Sequence, residues 1–304
     1  MNPIVINNLS KSYNTTRAVR GVTFEVKEGE IFGLIGPDGA GKTTIIRIIV
    51  SLLGVDSGQV LFKGKAVGEN IAYVRTHVGY MPQRFSLYQD LTVRENLDFF
   101  GDLFKVPTDI QKRRREELYA FSKLGPFEDR RAGQLSGGMK QKLALSCMLM
   151  HEPDVILLDE PTYGVDPVSR SEFWNILKEL ADKRTTILVT TAYMDEAHLC
   201  DRVGLMFNGR LLAQDTPSAL LRQFDNPLFL VESNRPHDTY EALQKVGLSG
   251  RCDLFGNGVH VSGGNDLGLT EVKTLLKNNN IEYKAIKMVE PTLEDLFLEL
   301  QRHA

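Results

Sequence analysis

No stretch of this sequence stays apolar for long. Runs such as Val155 to Leu158 fall far short of the roughly 20 residues that a membrane-spanning helix needs. Cationic excess is missing too: 36 Lys and Arg stand against 39 Asp and Glu, a net charge of -3. There is thus no general electrostatic pull toward nucleic acid, and no nucleic-acid partner is expected. Cysteine is scarce. Cys147, Cys200 and Cys252 are odd in number and too scattered for metal-ligand spacing, which excludes a disulfide framework and points to reduced packing residues. The opening Met1-Asn2-Pro3-Ile4 lacks the basic segment and apolar run of a secretory signal, so a cytosolic location is expected. What remains, 42% hydrophobic and 25% charged residues, is the composition of a globular protein with a packed core. At 304 residues one large and one small domain are expected.

The patterning divides the chain accordingly. Ile4 to Leu9 and Val22 to Val26 read as short antiparallel strands. An apolar strand, Ile31 to Ile35, runs into a glycine-rich turn and then a helix over Thr43 to Leu53. Residues 87–150 carry mostly helical periodicity, with Thr92-Val93-Arg94-Glu95 as a capping box, and form a helical subdomain. Val155 to Leu158 and Thr186 to Thr190, flanking a helix over Ser169 to Leu180, read as parallel strands. Beyond residue 223 the pattern restarts: strand Leu228 to Glu232, helix His237 to Val246, two strands around an Asn257-Gly258 turn, helix Leu269 to Asn278, strand Ile281 to Val289, and a closing helix from Thr292. That β-α-β-β-α-β order is the ferredoxin-like plan. The expected fold is α/β over 1–223, followed by a small α+β ferredoxin-like domain over 224–304.

Gly36-Pro37-Asp38-Gly39-Ala40-Gly41-Lys42-Thr43 fits G-x-x-x-x-G-K-[ST] and lies between a predicted strand and a predicted helix, the context of a phosphate-binding P-loop. Its glycines let successive N–H groups curl toward phosphate. Lys42 adds a cation near the β- and γ-phosphates, Thr43 offers a magnesium ligand, and Thr44 continues the helix start. A plain glycine-rich turn would not need that strand and helix. Val155 to Leu158 ends in Asp159-Glu160, at the carboxyl edge of the sheet where α/β ligands bind. Asp159 can hold magnesium, and Glu160 can polarise an attacking water. Leu135-Ser136-Gly137-Gly138-Met139-Lys140-Gln141 places Ser136 and the N–H groups of Gly137 and Gly138 at a helix start, a second anion site.

That heptapeptide resembles the signature motif of ABC ATPases, and with the P-loop it marks a likeness covering about the first 220 residues. The expected large domain is therefore the P-loop NTPase fold of ABC ATPases with its helical subdomain. The resemblance implies further roles. Ser136, Gly137 and Gly138 complete the γ-phosphate site of an opposing subunit. Gln83, in Tyr80-Met81-Pro82-Gln83, resembles the Q-loop that senses magnesium and faces the membrane subunit. Asp166, in Gly164-Val165-Asp166-Pro167, resembles the D-loop, and Tyr13 resembles the aromatic that stacks on adenine. One departure stands out: Ala192 occupies the place where the family usually has a histidine contacting the γ-phosphate. His198 reads as an exposed helix residue, not as its replacement.

The resemblance implies an ATP- and magnesium-binding ATPase that energises a membrane transporter. Its partners would be separate transmembrane permease subunits and a second ABC ATPase subunit, in a homodimer or a heterodimer. It would sit peripherally on the cytoplasmic face of the inner (plasma) membrane. Glu290-Pro291-Thr292-Leu293-Glu294-Asp295-Leu296 is similar to the tail of drug- and antibiotic-exporting members, which implies export. Two alternatives remain open: a slow or non-hydrolysing regulatory cassette, motivated by Ala192, and a soluble ABC ATPase outside transport. Retained Lys42, Asp159 and Glu160 oppose the first, and the single cassette with its short helical insert opposes the second. Lys112-Arg113-Arg114-Arg115 reads as a solvated helix face, and Met139, Met148 and Met150 as packing residues.

Overall fold

The computed structural model describes all residues except 85–86, 249–251, 257, 264–267 and 303–304. The chain forms two compact units, Met1–Pro217 and Ser218–Ala304.

In the first unit β1 (Ile4–Tyr13) and β2 (Thr16–Val26) pair antiparallel from Ile4 with Val26 to Tyr13 with Thr16. Both strands are longer than their alternation predicted. Register shifts between Ile6 and Ser12 break the two-residue period, so the outer half of the hairpin reads as turn. The parallel strand β3 (Ile31–Ile35) leads to α1 (Lys42–Ile49), then β4 (Ser57–Phe62), β5 (Lys65–Ala66), α2 (Ile71–His77) and β6 (Val78–Met81). The helical subdomain holds α3 (Val93–Leu103), α4 (Thr108–Ser122) and α5 (Gly137–Leu149). After it come β7 (Val155–Asp159), α6 (Pro167–Asp182), β8 (Thr186–Thr191), β9 (Arg202–Phe207) and β10 (Arg210–Asp215), and α7 (Pro217–Leu221) then carries the chain into the second unit.

These strands build a four-stranded antiparallel sheet, β2-β1-β4-β5, and a six-stranded sheet, β10-β9-β3-β8-β7-β6, parallel except for β10. Helix α1 shares one core with both sheets: Ile45, Ile46, Ile48 and Ile49 are buried with Ile6, Phe24 and Phe62 of the first and Leu34, Leu157 and Leu188 of the second. Four isoleucines in eight residues are poor helix formers, so burial on two sides holds the helix, at about 1.5–3 kcal/mol for each side chain. It stops at Ile49, short of the expected Leu53, because Ser51 turns left-handed with φ 55°. Phe24 and Phe32 stack across the two sheets, ring centroids 5.1 Å apart.

The second unit contains β11 (Leu228–Glu232), α8 (Pro236–Leu243), β12 (Cys252–Phe255), β13 (Gly258–Ser262), α9 (Leu269–Asn278), β14 (Ala285–Val289) and α10 (Leu293–Arg302). Its strand order β12-β13-β11-β14, antiparallel throughout, is that of the ferredoxin-like plan. Asn257 of the expected turn lies outside the described residues. Two boundaries differ from expectation. α8 gives way to a π-turn over Gln244–Leu248, and β14 begins at Ala285 because Ile281 N–H still bonds Leu276 carbonyl, closing α9.

Arg113, Arg114 and Arg115 pair with Glu117, Glu152 and Asp98, so the basic run is engaged within the fold. All three cysteines are free and buried, and burial pushes their thiols up, which leaves them inert. Met148 and Met150 are buried and Met139 is half-buried. Among the described residues no helix is long and apolar enough to cross a membrane.

Candidate nucleotide site

The glycine-rich turn joins β3 to α1 at the carboxyl edge of the parallel sheet. Gly41 caps α1 at φ 103°, a conformation open mainly to glycine, and a Cβ there would lie 2.3 Å from the Ala18 carbonyl of β2. Gly36 N–H donates to Thr191 carbonyl at 3.2 Å, tying the start of the turn to β8. Asp38 and Gly39 form its exposed tip, Ala40 is buried beneath it, and Thr44 is 9% exposed on the first turn of α1.

Lys42 is 3% exposed. Its Nζ donates to the Gly36 and Pro37 carbonyls at 2.7 and 3.0 Å and stands 3.1 Å from Glu160 Oε1. Buried cations survive only with such partners. Thr43 Oγ1 and Thr190 Oγ1 both donate to Asp159 Oδ1 at 2.9 Å. Gln83 Nε2 donates to the other oxygen of Glu160, Oε2, at 2.8 Å. Glu160 follows β7 with φ 50°, and its N–H bonds Thr190 carbonyl and Oγ1, each at 3.1 Å. A carboxylate held in a left-handed backbone by its neighbours is the kind of local strain found at functional sites.

Lys42, Thr43, Thr44, Gln83 and Glu160, with the P-loop tip and Ala18, line one open cleft of about 410 Å³. Tyr13 is 41% exposed at the end of β1 and is not among the described residues lining it, whereas Ala18 is. Among the described residues no three His, Cys, Asp or Glu side chains form a metal cage. The donors present are Thr43 Oγ1, Asp159 Oδ1 and the Gln83 amide. Few protein oxygens beside a phosphate cradle is the donor set that suits magnesium shared with phosphate oxygens and water.

The second predicted group assembles elsewhere. Ser136 caps α5, its hydroxyl accepting Met139 N–H at 3.3 Å, and Gly137 is exposed beside it. Gly138 lies so close to α6 that a Cβ would meet Ser169 Oγ at 2.4 Å. Asp166 caps α6 by accepting Ser169 N–H at 2.9 Å, which holds its carboxyl below the usual range. Gly138 against Ser169 thus joins the starts of α5, capped by Ser136, and α6, capped by Asp166, and none of Ser136, Gly137, Gly138 and Asp166 is among the described residues of the P-loop cleft. His198 is exposed as expected, on a helical turn wound as 3₁₀ over Met194–Leu199. Ten residues lie between β8 and β9, and the six of this turn close with the tighter i+3 bonds, Glu196 N–H to Tyr193 carbonyl and Cys200 N–H to Ala197 carbonyl.

Sequence reasoning missed Thr190, which ties Asp159 and Glu160 together, and Ala18. A threonine inside an apolar strand is the one signal that could have exposed the first. Ala18 has none, since its carbonyl and not its side chain makes the contact.

A P-loop between a parallel strand and a buried helix, faced by two strand-end acids, defines a P-loop NTPase. The family model described as ABC transporter matches residues 19–163. The chain is 46% identical over 247 residues to "Probable multidrug ABC transporter ATP-binding protein YbhF" of Escherichia coli (strain K12), covering 81% of this chain and 42% of that relative. It therefore spans less than half the length of that protein. It is 36% identical over 310 residues to "Nod factor export ATP-binding protein I" of Rhizobium sp. (strain N33), covering 98% and 96% of the two chains. Among solved structures, a dimeric post-hydrolysis ATP-binding cassette bound to ADP and phosphate superposes with a TM-score of 0.64 at 26% identity, covering 70% of this chain and 98% of that one. The chain belongs to the ABC transporter ATP-binding proteins, an ATP-hydrolysing family.

Proposed function

We propose that this chain binds ATP with magnesium and hydrolyses it as the energising subunit of an ABC exporter. One observation carries the reading: Lys42, Thr43, Glu160 and Gln83 line a single P-loop cleft, with Asp159 bonded to Thr43 and Gln83 and Lys42 both on Glu160. The N–H groups of the loop and the α1 start hold the phosphates, and Lys42 exchanges its carbonyl and carboxylate partners for phosphate oxygens. Magnesium, when bound, neutralises charge on the β- and γ-phosphate oxygens; Thr43 and Asp159, with Gln83, are the residues to hold it. Glu160 orients the attacking water and takes its proton, with Gln83 steadying the carboxylate. Tyr13 supplies a flat face for the base from the hairpin end.

Ser136, Gly137, Gly138 and Asp166 serve the site of a second cassette, a reading supported by their separation from this chain's own cleft. Separate permease subunits complete the transporter, with this chain peripheral on the cytoplasmic face. The segment 224–304 is an accessory domain, and export of drugs or other small molecules follows the printed names of the relatives above. Ala192 favours a second reading, a slowly turning cassette paired with a different subunit. Calorimetric titration with ATP tests the binding step: Lys42→Ala should weaken affinity at least about tenfold, the value of one lost charge-assisted contact. Equal affinity in the variant would remove Lys42 from the site.

A further inference from the structure

Glu196 is 1% exposed on the turn that follows β8, and Thr162, two residues after Glu160, is equally buried. Thr162 Oγ1 donates to Glu196 Oε1 at 2.7 Å, joining the segment that carries Glu160 to the segment that carries Ala192. A carboxylate this buried needs a cation, and Arg170 of α6 supplies it. Its Nε lies 3.8 Å from Glu196 Oε1, another guanidinium nitrogen lies 3.6 Å from Asp195, and the guanidinium plane sits 4.1 Å from the centre of the Tyr193 ring. Arg170 Nε and Glu196 Oε2 are both buried without a hydrogen-bond partner among the described residues, so the pair is held by charge and stacking with bonding capacity in reserve. Arg170 stands one turn beyond Asp166, the cap of the same helix. One arginine therefore ties together the segments after β7 and β8 and the helix start beside Gly138.

Glu160 keeps its positive φ of 50° just before Pro161 and Thr162, so what holds Thr162 also bears on the Glu160 backbone. We infer that Glu196, fixed by Arg170 and bonded to Thr162, is a positioning residue that holds the Glu160 loop in its left-handed, water-directing geometry. The inference rests on the ATPase reading above. Orientation errors of about 1 Å cost up to a hundredfold in rate, whereas loss of one buried hydroxyl leaves ATP contacts in the P-loop untouched. A positioning defect lowers kcat with KM preserved.

The test is steady-state ATP turnover of the complete complex purified through this chain. Thr162→Val should lower kcat about tenfold with KM for ATP within about twofold, and Thr162→Ser should restore it. In a Glu160→Asp background the same substitution should cost less than about twofold, because a network acting through the Glu160 carboxylate has little left to position. An equal fall in both backgrounds, or an unchanged kcat in the native background, overturns the inference. If Thr162→Val does not fold, Glu196→Gln is read against the same two backgrounds, since it keeps the acceptor for Thr162 and removes the charge that Arg170 holds. A native complex without magnesium-dependent turnover contradicts the ATPase reading itself, whereas a native complex that turns over with an unaffected Thr162→Val contradicts only the positioning role.

Discussion

Gly138 is constrained by its neighbour more than by its own backbone. A Cβ there would stand 2.4 Å from both Cβ and Oγ of Ser169, well inside contact distance, so α5 and α6 would have to part. Gly138→Ala should leave ATP affinity unchanged, because the residue is not among those described in the P-loop cleft, and should lower turnover by displacing the α5 start, with Ser136 and Gly137, from the α6 start. Ser169→Gly in the same chain should restore turnover. Nucleotide titration alongside a turnover assay separates the two effects, and a loss of binding affinity would place Gly138 in the wrong site. At this scale the sequence was informative where chemistry repeats along the chain: the P-loop glycines, Lys42, Thr43 and the paired Asp159-Glu160 were legible from spacing alone. Thr190 and the Arg170–Glu196–Thr162 cluster were not, because they meet through strand neighbours and a helix far apart in sequence.

Elements were legible where their sequence pattern runs unbroken and hidden where it is interrupted. α3 announced itself through a capping box that the fold forms, with Thr92 and Glu95 bonded reciprocally, and β7 through an unbroken apolar run. The β1–β2 hairpin is longer than its alternation indicates because bulges interrupt it, and His198 is exposed on a helical segment as expected, wound as 3₁₀ over Met194–Leu199. The closing helix α10 shows what fixes an element at its start. Asp295 Oδ2 accepts Thr292 N–H and hydroxyl at 2.8 and 2.7 Å, and its Oδ1 meets His260 Nδ1 of β13 at 2.7 Å. Burial pushes this carboxyl up, but the hydrogen bonds from His260 and Thr292 outweigh it and leave the group below its ordinary value of 3.8. A depressed carboxyl stabilises the fold above the unfolded value and loses that contribution as pH falls through the folded one. Acid titration of the full chain followed by circular dichroism should therefore show α10 contributing a loss below about pH 4, absent in Asp295→Asn. An identical acid limb in both chains would mean that the contact does not hold the helix.

Across the whole molecule the sequence separated two kinds of organisation, a parallel α/β unit and a ferredoxin-like unit, because the order of elements restarts as β-α-β-β-α-β after the first. What no single chain displays is the completed catalytic arrangement. The P-loop cleft and the Ser136–Gly138 joint are separate groups here, and family membership supplies the reason to pair them across two cassettes. Ala192 raises the question of how fast such a pair turns over, while Lys42, Asp159 and Glu160 are the residues proposed above to bind and hydrolyse. The most direct test is magnesium-dependent ATP turnover of the complex purified with its permease, native against Glu160→Gln. Turnover by the native chain, abolished in Glu160→Gln with ATP binding intact, is the predicted result. A native complex that binds ATP and does not hydrolyse it would contradict the account and leave a regulatory cassette.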